Sequence, residues 1–260
     1  RYFRTATKTG SVIVMDAPPP QEDCRPFIQV AELLRNAGVH APEVLAQDLK
    51  QGFLLLTDLG KQTYLEILDA QNADEMFSDA IGALCKWQLA SRSGILPSYD
   101  RALLRRELNL FPEWYVARHL GITLSHHEQA ILDDTFHLLE DTALAQPQVF
   151  VHRDFMPRNL MLSTPNPGVL DFQDAVYGPI TYDVISLFRD AFISWDEQRV
   201  AAWCMQYHEQ ARRAGLPVQD AAEFTRALDW MGLQRHLKVL GIFARIYYRD
   251  GKPQYLADTP

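Results

Sequence analysis

The chain reads as an α+β protein of two unequal parts, a small antiparallel sheet followed by a larger, mostly helical region. Three observations predict this. Short apolar runs of strand length crowd the first 56 residues, helical stripes dominate after Gly60, and one later stretch returns to strand length around a polar loop.

Tyr2–Ala6 and Ser11–Met15 read as strands joined by the turn Thr7-Lys8-Thr9-Gly10. Asp16-Ala17-Pro18-Pro19-Pro20 cannot be regular structure, because three prolines remove donors and fix φ. A helix is predicted from about Pro26, with Phe27, Val30, Leu33 and Leu34 on one side and Gly38 as its stop. Glu43–Ala46 and Phe53–Leu56 are two more strand-length runs. Thr57-Asp58-Leu59-Gly60 breaks the pattern, so the first part is expected over residues 1–59 and the second over 60–260. In the second part Phe77, Ile81, Leu84 and Leu89 approximate a helical stripe, as do Leu103, Leu104, Leu108 and Phe111. Both stripes are read as core packing. Val149–Val151, Leu160–Leu162 and Val169–Leu170 are strand-like, and Ser163-Thr164-Pro165-Asn166-Pro167-Gly168 is a turn between the last two.

Composition excludes several function classes. A formal charge of −8 with a pI near 5.5 argues against general nucleic-acid or anionic-membrane binding, which need a basic surface. Cys24, Cys85 and Cys204 are too few and too scattered for a disulfide framework or a zinc site, and Cys85 is expected as a buried thiol. There is no apolar run of membrane-spanning length and no signal-peptide pattern, so a reducing cytoplasm is expected. The chain opens on Arg1-Tyr2-Phe3-Arg4, read as partway into a strand and without an initiator Met.

The chemistry concentrates in Val151-His152-Arg153-Asp154-Phe155-Met156-Pro157-Arg158-Asn159 and Gly168-Val169-Leu170-Asp171-Phe172. Asn159 lies five residues after Asp154, and Asp171 twelve after Asn159. Asp154 and Asn159 would project from one loop, with Asp171 ending the returning hairpin strand beside them. This suits phosphoryl transfer: Asp154 as the base for an attacking hydroxyl, Asn159 and Asp171 as oxygen ligands for magnesium on a nucleotide's phosphates. An isolated His-Arg-Asp is common, and a lone Asp at a strand end is usually a turn former. The full pattern demands far more than either.

His-Arg-Asp-x-x-x-x-Asn followed by an Asp-Phe pair resembles the signature of protein-kinase-like phosphotransferases. Leu170-Asp171-Phe172-Gln173-Asp174-Ala175 and Gly178-Pro179-Ile180-Thr181-Tyr182-Asp183 resemble the aminoglycoside phosphotransferase and choline kinase branch, which acts on small-molecule hydroxyls. More narrowly, Val151–Asp190, Val14–Pro19 and Arg105–Tyr115 are similar to the cell-wall sugar kinases that phosphorylate N-acetylmuramate and N-acetylglucosamine at the anomeric C1 hydroxyl. The resemblance spans nearly the whole chain. It implies a bilobal protein-kinase-like fold, ATP and Mg2+ as cofactors, an amino sugar as acceptor in peptidoglycan recycling, and a glycine-rich phosphate-covering loop ahead of the first strand. It also implies that the backbone of Thr57, Asp58 and Leu59 meets the adenine edge.

One departure stands out. Met15 falls where such kinases carry a lysine on the third strand, and Phe27 falls near its glutamate partner. Losing both members together is electrostatically consistent, since a lone buried charge would be costly. Arg4 is then the best remaining cation for phosphate contact, with Arg158 a second candidate. His152 and Arg153 are expected to brace the loop, and Asp183 to cap a helix or brace it too. Substrate contacts are expected from the helical part, where Arg105, Glu107, Asn109, Glu113 and Tyr115 form one polar and aromatic cluster. Arg235 and Arg245, with Gln234, His236 and Lys238, form another. Solvated helix faces are the ordinary alternative for such charges. Three rival readings remain at this point: an aminoglycoside, choline or homoserine kinase; a silent nucleotide-binding module, which retention of Asp154, Asn159 and Asp171 together argues against; and a protein kinase, disfavoured because Gly178 comes only six positions after Phe172 and leaves no room for an activation segment.

Overall fold

The first two strands form the predicted hairpin. A computed structural model describes residues 1–8 and 10–258; Thr9, part of the predicted turn, lies outside the described residues. β1 (Tyr2–Thr7) pairs with β2 (Gly10–Asp16), setting Arg4 opposite Ile13 and Tyr2 opposite Met15. Residues two apart share a face of a strand, and Ile13 and Met15 both pack against the core. β4 (Phe53–Thr57) pairs with the other edge of β2, and β3 (Val44–Asp48) with β4, so the antiparallel order is β1-β2-β4-β3. Leu54 and Leu56 of β4 are buried in the same core as Phe27, Val30, Ala31 and Leu34 of α1 (Cys24–Asn36).

Helix α1 starts two residues before the predicted Pro26. The Asp23 carboxylate accepts from the Arg25 N–H at 3.0 Å and moves the start upstream. Pro26 still falls within the first turn, where its missing N–H is an orphan in any case. The predicted stop holds: Gly38 has φ +76° directly after the Ala37 cap.

Helices make up most of the rest: α2 (Tyr64–Ile67), α3 (Ala73–Leu89), α4 (Arg101–Leu108), α5 (His126–Leu144), α6 (Tyr182–Phe188), α7 (Glu197–Ala214) and α8 (Ala221–Asp250). Of the two predicted stripes, Phe77, Ile81, Leu84, Leu104 and Leu108 are buried, whereas Leu89 is exposed. Phe111–His119 is wound as a wide π-helix. Pro112 lacks the N–H that a continuous α-helix would bond to Leu108, which separates this segment from α4. Among the described residues no helix is long and apolar enough to cross a membrane. The three cysteines are buried and unbridged, and burial pushes the Cys85 and Cys204 thiols up to about 12.

Two short ladders carry the polar loop. β6 (Leu160–Met161) and β7 (Gly168–Val169) are the predicted hairpin. β5 (Gln148–Val151) pairs with β8 (Val176–Pro179), a partner the sequence reading did not foresee, since Gly178 and Pro179 resemble a breaker. The two parts of the chain are stitched at this hairpin. Val169 N–H donates to the His40 carbonyl of the first part at 2.7 Å, while within the second part Leu162 N–H donates to the Gln62 carbonyl at 2.9 Å.

Candidate active site

Strand β5 delivers Val151 into a loop whose backbone is held from beneath. The His152 and Arg153 N–H groups donate to the two oxygens of Asp183, at 2.7 and 3.0 Å. Asp183 is the second residue of α6 and wholly buried, and burial pushes its carboxyl up to about 7. It braces the loop, one of the two roles expected of it. His152 is buried edge-on to Phe155 and Phe172, and burial lowers its pKa. Arg153 turns the chain with φ +76°, a left-handed conformation costly for a side-chain-bearing residue. Its guanidinium reaches inward to Glu107 and to the Asp174 carbonyl.

After this turn the three motif residues converge. Asn159 Nδ2 donates to the Asp154 carbonyl at 2.9 Å and lies 3.4 Å from Asp171 Oδ2. Asp171 also adopts a left-handed φ, +62°, and its Oδ1 accepts from Gln173 Nε2 at 3.0 Å. The amide and the carboxylate are thus adjacent oxygen-bearing groups, a donor set that suits a hard divalent cation completed by phosphate oxygens and water. Among the described residues no cluster of three His, Cys, Asp or Glu could hold a metal.

Two cavities open on either side of this cluster. One, of about 310 Å³, lies between the sheet and the hairpin, lined by Arg4, Ile13, Phe27, Thr57, Asp58, Leu59, Asn159 and Asp171 among others. Its back is apolar. Phe27 packs on Phe172 with ring centroids 4.8 Å apart, so an aromatic contact stands at the residue expected near the lost glutamate's position. Arg4 does not offer a free cation here. Its Nε and Nη2 bind Asp58 at 2.6 and 3.0 Å, and Nη2 also donates to the Gly60 carbonyl. Ser11 and the Gly60 N–H complete the shell of Asp58, and Arg4 holds its carboxyl down at about 2. The Thr57 N–H is likewise spent, on the Glu43 carbonyl at 3.0 Å.

The second cavity, of about 170 Å³, contains Asp154, Arg158, Tyr182, Asp190, Arg235 and Lys238, with an apolar wall from α8 that includes Val239, Ile242 and Phe243. Arg158 therefore lies on the Asp154 side rather than with Asp171, stacked over Phe192 at 4.8 Å. Of the expected substrate clusters only Arg235 and its neighbour Lys238 line this cavity. Arg105 is drawn away to Glu140 and Asp133. Glu107 is 5% exposed and sits behind the wall, accepting from Tyr99 and Arg153 and pairing with Lys238 at 3.0 Å. Burial alone would raise its pKa, but Lys238 and Arg153 outweigh it and hold the carboxyl below the usual range. Asn109 caps α4, Glu113 is exposed, and Tyr115 stacks between Phe111 and His119. Arg245 is not among the lining residues, and burial lowers its pKa.

Asp190 and Tyr182 line the cavity without having been expected there, and Lys238, named in the sequence only as a neighbour of Arg235, joins them. A signal existed for each. Lys238 falls three positions after Arg235, the spacing that puts both on one helix face. Tyr182 opens, and Asp190 closely follows, a helix whose seven residues are all buried.

Residues 1–218 match the description "phosphotransferase enzyme family". The chain is 61% identical to an N-acetylmuramate/N-acetylglucosamine kinase of Pseudomonas putida, across 100% of this chain and 77% of that protein. It is 60% identical to the kinase of the same name from Pseudomonas aeruginosa, with the same coverage. Among solved structures, an ADP-bound aminoglycoside phosphotransferase superposes with a TM-score of 0.64 at 15% identity, covering 99% of this chain and 89% of that one. That likeness supports the two-lobed kinase-like fold.

Proposed function

Because the chain belongs to the phosphotransferase enzyme family, we propose that it is an ATP-dependent amino-sugar kinase. Its acceptors are N-acetylmuramate and N-acetylglucosamine, phosphorylated at the anomeric C1 hydroxyl in the cytoplasm during peptidoglycan recycling. The names of its relatives support the acceptor, and one observation carries the choice of acceptor class. The cavity at Asp154 is lined by two carboxylates, Asp154 and Asp190, against three cations, Arg158, Arg235 and Lys238. A pocket built for aminoglycosides or choline, which are cationic, would be predominantly acidic or aromatic. This one suits a neutral sugar or one bearing a carboxylate.

The lobes divide after Leu59. The nucleotide lies in the cavity at Thr57–Leu59, with its phosphates directed to Asn159 and Asp171. Asn159 and Asp171 would hold magnesium, which would neutralise charge on the nucleotide's phosphates. Asp154 orients the C1 hydroxyl and takes its proton as the hydroxyl oxygen bonds to the γ-phosphorus and the bond to ADP breaks. Arg158 then serves the acceptor side, where it shares a cavity with Asp154. Arg4 holds the mouth of the nucleotide cavity through Asp58.

The test is ADP release against free sugars, their methyl glycosides and aminoglycosides, with phosphorus NMR of the product. Free N-acetylglucosamine should give a C1 phosphate, and its methyl glycoside, whose anomeric oxygen is blocked, should give none. Asp154→Ala should lower turnover by about 10²–10⁴-fold with nucleotide affinity retained. Equal phosphorylation of the methyl glycoside refutes the anomeric reading, and preferred turnover of an aminoglycoside refutes the acceptor class.

A further inference from the structure

Asp190 and Arg235 face the same cavity as Asp154 and are among the most buried charges in the chain, 8% and 3% exposed. Each is half-satisfied. Asp190 Oδ1 accepts from the Ala191 N–H at 2.7 Å and the Phe192 N–H also faces the carboxylate, whereas Oδ2 has no partner among the described residues. Arg235 Nε donates to Ser186 Oγ at 2.8 Å, whereas Nη1 has no partner among the described residues. Both line one cavity, where burial raises the Asp190 pKa and the Arg235 charge opposes it, yet no ion pair joins them among the described residues. Buried polar atoms are ordinarily paired, and an unpaired charge is the most costly exception. The neighbouring Lys238 shows the contrast. Its ammonium is engaged by Tyr182 at 2.8 Å and Glu107 at 3.0 Å.

A carboxylate oxygen can only accept and a guanidinium N–H can only donate. A group set between them must donate to one while accepting from the other, and a hydroxyl does both. An ammonium would be repelled by Arg235, and a carboxylate by Asp190. We propose that Asp190 and Arg235 are specificity-determining residues that hold one ring hydroxyl of the acceptor sugar between them, remote from the reacting C1. The hydroxyl donates to Asp190 and accepts from Arg235, while the apolar α8 wall meets the sugar's C–H face. This inference rests on the amino-sugar kinase reading.

The test combines the 3-, 4- and 6-deoxy analogues of N-acetylglucosamine with Asp190→Asn. On the unsubstituted protein, one deoxy analogue should lose at least about tenfold in kcat/KM, because it leaves both buried groups unpaired. Asp190→Asn should raise the sugar KM at least about tenfold with the ATP KM within about twofold, and that deoxy analogue should then suffer less than about a threefold further loss. Arg235→Lys, which keeps the charge but not the fork, should show the same dependence on the same analogue. The deoxy panel on the unsubstituted protein decides the matter even where a variant fails to fold. Deoxy analogues all within about twofold of the parent sugar overturn the pair, as do losses that simply multiply in Asp190→Asn. No turnover of either free sugar by the unsubstituted protein overturns the kinase reading and this inference together.

Discussion

Replacing Glu107 with glutamine keeps the shape of the side chain and removes its charge. The carboxylate is 5% exposed and meets Tyr99, Arg153 and Lys238, whose own side chains are 19% exposed for Arg153 and 11% for Lys238. Breaking a buried pair by removing one partner costs about 3–5 kcal/mol, because the opposite charge is left buried and uncompensated. Two cations lose a partner here, so the upper part of that range is expected. For a chain of this size that corresponds to a fall in melting temperature on the order of 10 °C. The assay is urea denaturation followed by tryptophan fluorescence, repeated for Lys238→Met and for the double variant. The double variant should recover part of the loss, with a coupling of about 1–3 kcal/mol. pH supplies a second arm. Glu107's folded pKa lies below its usual value, so its contribution is fully present above the ordinary carboxylate range and disappears as pH falls through the folded pKa. Glutamine should remove that part of the acid sensitivity. A loss below about 1 kcal/mol, the scale of an exposed pair, would refute the claim that this carboxylate organises the wall behind the acceptor cavity.

Glycines at two helix positions should respond with opposite sign. At Gly241 an added Cβ would overlap the Leu110 backbone and come within 2.6 Å of its Cβ, so Gly241→Ala should cost at least about 1–3 kcal/mol despite better helix propensity. At Gly82 the nearest atom is 3.7 Å away, and Gly82→Ala should gain up to about 1 kcal/mol; thermal melts that order the two the other way would contradict the packing of α8. Asp58, held at about 2 against an ordinary 3.8, contributes stability above pH 4 that is lost as pH falls toward 2. Arg4's side chain is 40% exposed, so Asp58→Asn should cost only about 1 kcal/mol at pH 6, with the gap narrowing by pH 3 in paired denaturation curves. Asp171→Asn should raise the magnesium concentration needed for half-maximal rate while lowering the rate. An unchanged magnesium titration would remove Asp171 from the metal site.

Residue order alone determined the elements that depend on local chemistry. Prolines and glycines punctuate the sheet, apolar periodicity marks the long helices, and the offsets among Asp154, Asn159 and Asp171 bring them together because a loop and a two-strand hairpin can close only that way. The pairing of β5 with β8 was not legible, since it is non-local and β8 ends in Gly178-Pro179. The destinations of the long charged side chains were not legible either. Arg4, Arg105 and Arg158 each have several carbons of reach, and where each guanidinium settles depends on carboxylates and rings far away in sequence: Asp58, Glu140 and Phe192. Glu107 reads as a substrate contact, or else as a solvated helix charge, until α8 is packed over it and buries it beside Lys238. Tertiary packing also made Asp190 a wall of the acceptor cavity, because it alone brings the end of α6 against α8. A carboxylate's role is set by what surrounds it in space, and sequence spacing carries that information only where the chain between the groups is short.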